Sequence, residues 1–545
     1  MPPGANSETT RSPRLVATLQ GVDAGEPVEG VTLAELLASF SLATDLGLGQ
    51  PMEHVLRSWR IASRLGEEVG LNESEEASLY YIAMLAWVGC VADTPEVARW
   101  FGDDIAFRAD SYDTELAGLS GLTFMLGHAG AGDQALHRLR LAATLVATGG
   151  KGIQNGLLSH CLTTSRMADL LGMGPQVCDP LQQFFTRWDG KGMPRGIGRD
   201  DIATTVRLFH LSDIVEVYHR TRGVDAAIEV ARARRGSHFD PELVDAFCAA
   251  AGDVLADGAE ELDWHDLIAA DPALQHRLTG QELDDALEVV ADFTDLRSAW
   301  RAGHSRGVSE LAAHAAELAG LPHDDVAAVR RAGLLHDVGL HGVPATILDK
   351  PGPLTATEAE RMRMHSYYTE RVLARPPALA RLGAIASLTH ERLDGSGYHR
   401  GLSGAALSAP ARILAAADAY RAMREPRPYR PAMSAKRASQ AILDDVRVGR
   451  LAPLAVDAVL SAAGETRPRR PSGPAGLTPR EVEVLILIAR GASTRQVARS
   501  LDITPKTAGT HIERIYGKTG ASTRSTATLF ALHNGLLDTL TPLDS

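Results

Sequence analysis

The sequence predicts an all-α protein made of two related helical domains and a smaller four-helix domain at the C-terminal end. Three observations carry that prediction. Apolar residues recur at helical spacing through most segments, as at Val308, Leu311, Ala312, Ala315 and Leu318, with no convincing alternating strand. A long part of the chain repeats itself at a constant offset. The C-terminal stretch carries a succession of helix-capping signals.

A chain of 545 residues exceeds one ordinary domain. With 45% hydrophobic, 23% charged and only 5% aromatic residues, and with alanine and arginine throughout, helix is the default expectation. Cys90, Cys161, Cys178 and Cys248 are scattered and form no CxxC pair, which argues against a disulfide framework and for reduced thiols in a cytosol. Residues 1–28 read as a disordered leader without the apolar run of a signal peptide. No stretch reads as a membrane span, so a cytoplasmic location is expected and no membrane partner. The net charge of −13 is unevenly spread: Glu465 to Arg524 holds eleven Lys/Arg against five Asp/Glu, leaving about −19 on the rest. A basic reader attached to an acidic body fits this asymmetry.

The repeat fixes the larger architecture. At an offset of 250, Thr44-Asp45-Leu46 matches Thr294-Asp295-Leu296, His54 matches His304, and Ala83–Gly89 matches Gly333–Gly339. The offset then becomes 205, pairing His160 with His365, Arg187–Gly192 with Arg392–Gly397, and Asp213 with Asp418. The first copy therefore carries about 45 extra residues, placed around 100–150. The boundaries that follow are 29–250 and 281–463 for the two copies. Residues 465–476, with three prolines, two glycines and three arginines, form a linker, and 477–540 form the last domain.

In the second copy, His336-Asp337 ends the apolar helix Val329–Leu335. Adjacent helical residues point about 100° apart, so the pair shares an ion only if other elements complete the cage. His304, His365, His390 and Asp418, each assigned to its own helical segment, are the completers. Imidazoles and carboxylates without cysteine suit Fe, Mn, Co, Ni or Zn, as one or two divalent ions. An aspartate able to bridge two ions about 3.5–4 Å apart suits polarising a phosphate and making hydroxide near neutral pH.

Leu335-His-Asp-Val-Gly339, Pro344-x-x-Ile-Leu-x-Lys-Pro-Gly-x-Leu-Thr355 and His390-Glu-Arg-Leu-Asp-Gly-Ser-Gly-Tyr398 resemble the HD-GYP branch of the HD phosphohydrolases. The resemblance implies a helical fold, two or three metal ions and, in active members, hydrolysis of cyclic di-GMP. It makes His304, His336, Asp337, His365, His390 and Asp418 the metal ligands, with Asp337 bridging, and His336 and Asp337 the catalytic pair. Four positions depart from the pattern. Thr389 replaces the first histidine of HHE, Leu340 the phosphate-contacting lysine of HDxGK, Trp300 the acidic residue before the first histidine, and His399 the proline of GYP. Losing a ligand and a cation weakens two-metal chemistry.

The first copy has Ala86 and Trp87 at the HD positions and Phe184 and Phe185 at the HH positions, keeping only His54, His160 and Asp213. This reads as a packed core with leftover polar residues. The alternative is a small-molecule pocket walled by Trp87 and Phe185 and anchored by His54, His160 and Asp213. Asp394-Gly-Ser-Gly397 and Asp189-Gly-Lys-Gly192 read as tight loops, and His314, His323 and His341 as surface or helix-end residues.

At the C-terminal end, Thr478, Pro479 and Glu481 make a capping box with proline at N1. Gly491 closes that helix, Ser493 and Gln496 open a second, and Thr504-Pro505 open a third after the turn Asp502-Ile503. Two short helices across such a turn are a helix-turn-helix. The spacing of Leu477-Thr-x-Arg-Glu481, Gly491-x-Ser493, Val497-Ala498 and Thr504-x-Lys-Thr-x-x-x-His511 is similar to the LuxR-type regulators. The resemblance implies binding of double-stranded DNA with the third helix in the major groove. Lys506, Thr507, Thr510, His511 and Arg514 are then the reading residues, and Arg495 and Arg499 the backbone contacts. One small reading head is too little for tight specific binding, so a homodimer is expected, with the fourth helix packing through Leu529, Leu532, Leu536 and Leu537. The reading is a DNA-binding transcriptional regulator whose HD-like body senses a metal, nucleotide or small-molecule effector. The alternatives are a metal-dependent phosphodiesterase tethered to DNA and a catalytically dead dimerisation scaffold.

Overall fold

The computed structural model describes residues 30–116, 118–131, 135–148, 151–256, 264–465, 474–521, 523–534 and 536–537. The leader, most of the linker and residues 538–540 lie outside the described residues. The chain divides into two compact units, Met1–Ala463 and Gly464–Ser545.

The repeat emerges as two matching sets of helices. His54–Val69, Glu73–Leu85, Lys151–Leu170 and Thr204–Arg222 of the first copy answer to His304–Leu318, His323–Leu335, Ala356–Val372 and Ala409–Arg424 of the second. Capping boxes start two of them and the preceding helix Leu33–Gly47: Asn72 with Glu75, Thr355 with Glu358 and Thr32 with Glu35 each satisfy two otherwise orphaned backbone donors. The extra residues of the first copy form Cys90–Phe101, Asp104–Ser111, Gly118–His128 and Ala135–Thr148. The second copy has there only the 3-10 turn Val338–Gly342 and the short helix Ala345–Leu348. Glu73–Phe101 has the length and composition of a membrane span, contrary to the sequence reading, but 78% of its apolar window is packed as core.

One glycine contact is common to both copies. A Cβ on Gly339 would sit 2.0 Å from the His365 carbonyl oxygen, and one on Gly89 would sit 2.4 Å from that of His160. Glycine after the HD position therefore lets the helix of the next histidine lie directly against the turn.

The two copies share one continuous apolar core. The only strands among the described residues, Val31–Thr32 and Arg277–Leu278, pair antiparallel and tie the start of one copy to the start of the other. Helix Leu33–Gly47 packs on Ala356–Val372 and on Val338–Gly342. His341, read as a surface or helix-end residue, is instead buried there, edge-on to Phe40 at 5.4 Å. Its burial depends on a helix of the first copy lying over it, which the local pattern around His341 does not reveal. A buried charge cluster adds to this contact. Arg297 donates to Asp104 Oδ2 at 3.1 Å and to the Val343 carbonyl at 2.7 Å, while Arg108 donates to Asp104 at 2.8 Å and Asp93 at 2.6 Å. Two guanidinia face two carboxylates, the pairing that buried charges require.

The second unit has four helices, Pro479–Ala489, Thr494–Ser500, Pro505–Thr519 and Arg524–His533, around its own apolar core. Thr478, Ser493 and Thr504 cap the first three as their sequence signals predict. Gly491 (φ +97) and Asp502 (φ +50) take the left-handed conformation at the two turns. The fourth helix differs from expectation. Ala527 and Ala531 form its buried face, while Leu529 and Leu532 are 52% and 39% exposed. Leu536 and Leu537, past the end of the helix, do pack on this core as expected.

Candidate metal centre and nucleic-acid interface

Five elements of the second copy converge on one buried point. His304 is the first residue of its helix, His336 and Asp337 follow the end of His323–Leu335, His365 lies mid-helix, and Asp418 projects from Ala409–Arg424. His390 is not helical, as the sequence reading had it; it stands in the turn after Pro377–Ala386. There it stacks on Tyr398 (4.9 Å, 12°) and meets His365 edge-on at 4.8 Å.

The two oxygens of Asp337 face different partners. Oδ2 lies 3.2 Å from His336 Nε2 and 3.8 Å from His304 Nε2, whereas Oδ1 lies 3.9 Å from His365 Nε2. Asp418 spans the site likewise, with Oδ1 3.3 Å from His304 Nε2 and Oδ2 4.0 Å from His390 Nδ1. Two three-ligand groups result, His304–His336–Asp337 and Asp337–His365–His390, each with donor atoms within 4.8 Å of one another and both containing Asp337.

Backbone and side-chain acceptors set the rings. His336 Nδ1 bonds the Gly333 carbonyl at 2.8 Å, His365 Nδ1 the Met362 carbonyl at 2.6 Å, and His304 Nδ1 the Glu425 carboxylate at 2.7 Å. Each anchor fixes the tautomer that turns the Nε2 lone pair inward. The Nε2 atoms of His304 and His336 are buried without a hydrogen-bond partner. Burial lowers His336 to about 3 and His365 to about 4, and lowers His390 as well, so these imidazoles stay neutral. Burial alone would raise Asp418, but its contact with His304 outweighs that and holds the carboxyl well below its usual range. Neutral nitrogens and ionised oxygens are the forms that bind a divalent ion, and the absence of sulfur matches the expected donor set.

The departures from the family pattern have visible consequences. Thr389 turns its hydroxyl to the Ala386 carbonyl at 2.7 Å, away from a ligand role. Leu340 packs with Val343 and Ile347 under the loop. His399 bonds Glu370 at 2.8 Å. Two residues were missed in the sequence. Arg301, on the short turn Ala299–Arg301, brings its guanidinium against the Asp337 carboxylate. Burial and the neighbouring Arg427 lower it to about 10, still a cation at neutral pH. Glu391 accepts from the backbone N–H groups of Arg400, Gly401 and Leu402 at 2.7–3.1 Å and so holds the loop after Tyr398 in place. A lone arginine before a histidine carries no spacing signal, whereas Glu391 is the last residue of the HHE motif and was passed over only because it is not a ligand. The Asp-Gly loops are Asx turns in both copies, with Asp394 accepting from Ser396 N–H and Asp189 from Lys191 N–H.

The first copy keeps part of this frame and closes it. His54 Nδ1 bonds Glu216 at 2.6 Å, as His304 bonds Glu425, but its Nε2 meets Tyr112 and Asp213, both at 3.2 Å. Trp87 donates its indole N–H to Asp213 at 3.1 Å and packs edge-on to Phe184 at 4.8 Å. His160 sits between Trp87 and Phe185, with Nε2 on the Ala86 carbonyl at 2.8 Å.

In the C-terminal unit, Lys506, Thr507, Thr510 and Arg514 lie exposed on helix Pro505–Thr519, and His511 is half-buried. Ala508 and Ile515 anchor the opposite face in the core. Arg495 and Arg499 are exposed on the preceding helix. Arg480 instead donates to the Leu501 carbonyl, and Lys518 pairs with Glu481 at 2.6 Å, fixing the helices to one another.

Comparison with known proteins agrees with both parts. The HD-domain family model matches residues 288–451, and that of the bacterial regulatory proteins, luxR family, matches residues 475–531. The 3′3′-cGAMP-specific phosphodiesterase 3 of Vibrio cholerae is 30% identical over 409 residues, covering 74% of this chain and 88% of that protein. A match of that length reaches into the first copy. The cyclic di-GMP phosphodiesterase of Thermotoga maritima is 38% identical over 150 residues, 27% of this chain and 41% of its own length. A crystal structure of a cyclic GMP-AMP-specific phosphodiesterase of V. cholerae shares the fold, with a TM-score of 0.56 at 24% identity over 80% of this chain and 99% of that one. The chain belongs to the HD-GYP phosphodiesterase family and carries a C-terminal DNA-binding domain of the luxR family.

Proposed function

We propose that the chain is a cytoplasmic, DNA-binding regulator whose second copy is a divalent-metal phosphodiesterase centre for a cyclic dinucleotide of the 3′3′-cGAMP class. One observation carries the reading: the two carboxylate oxygens of Asp337 face separate histidine groups. That arrangement suits a pair of ions, and His304, His336, His365, His390, Asp337 and Asp418 would hold them. Ions bound there supply Lewis acidity and a hydroxide near neutral pH. The chain's own residues do the rest. Glu425, Gly333 and Met362 orient the imidazoles, and the Tyr398 ring stacked on His390 walls one side. Arg301 offers a guanidinium to a non-bridging phosphate oxygen, a task the buried Leu340 cannot perform. The substrate class rests on the relatives' names and on the length of the match. Lys506, Thr507, Thr510, His511 and Arg514 would face the major groove, Arg495 and Arg499 the phosphates, with two copies of the chain on paired half-sites.

The test is hydrolysis of 3′3′-cGAMP and cyclic di-GMP by the full chain loaded with Mn or Fe. Linear product that disappears in Asp337→Ala supports the reading; metal-loaded protein that turns over neither contradicts it. Thr389 and Leu340, turned away from the site, favour a second reading in which the nucleotide is bound without turnover and changes DNA affinity. That reading predicts a nucleotide-dependent shift in DNA binding by the same inactive protein.

A further inference from the structure

We propose that the first copy holds a metal site of its own, distinct from the position it lost, formed by Cys90, Asp93 and His160 and suited to zinc or another borderline-soft divalent ion. The thiol sulfur, a carboxylate oxygen and an imidazole nitrogen lie within 4.8 Å of one another, and all three residues are buried. At the repeat offset, Cys90 and Asp93 correspond to Leu340 and Val343, so the second copy has nothing equivalent.

The orientation of the His160 ring makes the argument. In the second copy His365 anchors Nδ1 and turns Nε2 inward. His160 is reversed: Nε2 bonds the Ala86 carbonyl at 2.8 Å, so in the neutral ring Nε2 carries the proton and Nδ1 carries a lone pair. That Nδ1 is fully buried, has no hydrogen-bond partner and lies 3.4 Å from Asp93 Oδ2. A lone pair facing a carboxylate is repulsive, so a cation stands between them, a proton in the metal-free protein or a metal ion that takes its place. Two ligands each about 2.0–2.1 Å from a tetrahedral ion lie about 3.4 Å apart. The arrangement is also braced. Arg108 holds the other oxygen of Asp93 at 2.6 Å and the Cys90 carbonyl at 3.0 Å, and a Cβ on Gly89 would strike the His160 carbonyl. Binding displaces the thiol proton of Cys90 and the proton between His160 and Asp93, both of which leave to solvent, and a thiolate–imidazole–carboxylate set leaves one position for water.

The site is independent of the proposed phosphodiesterase centre, which contains no sulfur, and cobalt separates the two. Full-length Asp337→Ala protein loaded with Co(II) should show the near-ultraviolet sulfur-to-cobalt charge-transfer band and bind one ion more than the second copy retains. Cys90→Ser in the same background should lose the band and that ion while keeping its thermal stability without metal. Protection of Cys90 from alkylation by Zn(II), reversed by a chelator, gives a second readout in unmutated protein. Absence of the band, or a band unchanged by Cys90→Ser, would overturn the proposal. So would a Cys90 alkylated equally with and without zinc, because the cation beside Asp93 would then be a proton on His160.

Discussion

The Trp87 indole N–H donates to Asp213 Oδ1 at 3.1 Å, so a side chain from the position of Asp337 closes over the carboxylate at the position of Asp418. The two copies thus keep the same frame and fill its centre differently, one with ionisable ligands and one with aromatic rings.

Trp87→Ala should therefore act on stability and leave hydrolysis by the second copy in place. Removing a largely packed indole and its hydrogen bond costs about 3 kcal/mol. Chemical denaturation of the variant checks this, beside an activity assay at a temperature where it stays folded.

Glu216 holds His54, Arg57 and Arg220 together in the first copy. Burial would raise its carboxyl, but His54 and then Arg57 outweigh burial and hold it down at about 2, against an ordinary 4.5. A depressed carboxyl contributes stability above its unfolded value and loses it as pH falls through the folded one. Stability should fall between about pH 4.5 and 2, and Glu216→Gln should flatten that limb. At neutral pH the same variant should lose about 3–5 kcal/mol, because buried cations are left unpaired. Denaturation across this pH range measures both.

Arg301→Ala should reduce kcat/KM for the cyclic dinucleotide by about 10- to 150-fold, the worth of one hydrogen bond to a charged group. Metal content should stay unchanged, which separates a missing phosphate interaction from collapse of the site. Arg301→Lys should recover part of the activity.

Lys506→Ala and Arg514→Ala remove exposed side chains. Each should leave the folding of the C-terminal domain within about 0.5 kcal/mol. Each should also weaken DNA binding and lower its salt dependence by about one unit of slope for every phosphate no longer neutralised. Titrations at several salt concentrations give the slope. Arg480→Ala should instead destabilise the domain, since that arginine bonds the Leu501 carbonyl.

Legibility in the sequence followed the locality of the physics. Capping boxes act over three or four residues, so the helix starts at Thr478, Ser493 and Thr504 could be read directly. The candidate ligands His304 to Asp418, which the fold brings to one buried point, are marked in the sequence by a repeat and short motifs. What escaped depends on distant parts of the chain. His341 is buried only because Leu33–Gly47 of the other copy lies over it. Arg301 reaches Asp337 from a short turn with no motif of its own. The fourth helix of the C-terminal unit turns Ala527 and Ala531 inward and leaves Leu529 and Leu532 exposed, a choice of face set by the helices around it and not by its own sequence. The ring reversal of His160 turns on a single backbone carbonyl, which no sequence pattern encodes.

Metal stoichiometry at Asp337 tests the central claim most directly. Full-length protein loaded with Mn or Fe and freed of excess metal should carry two ions in the second copy. Asp337→Ala should carry at most one there, with the shared carboxylate gone. An unchanged metal content in Asp337→Ala would contradict the account.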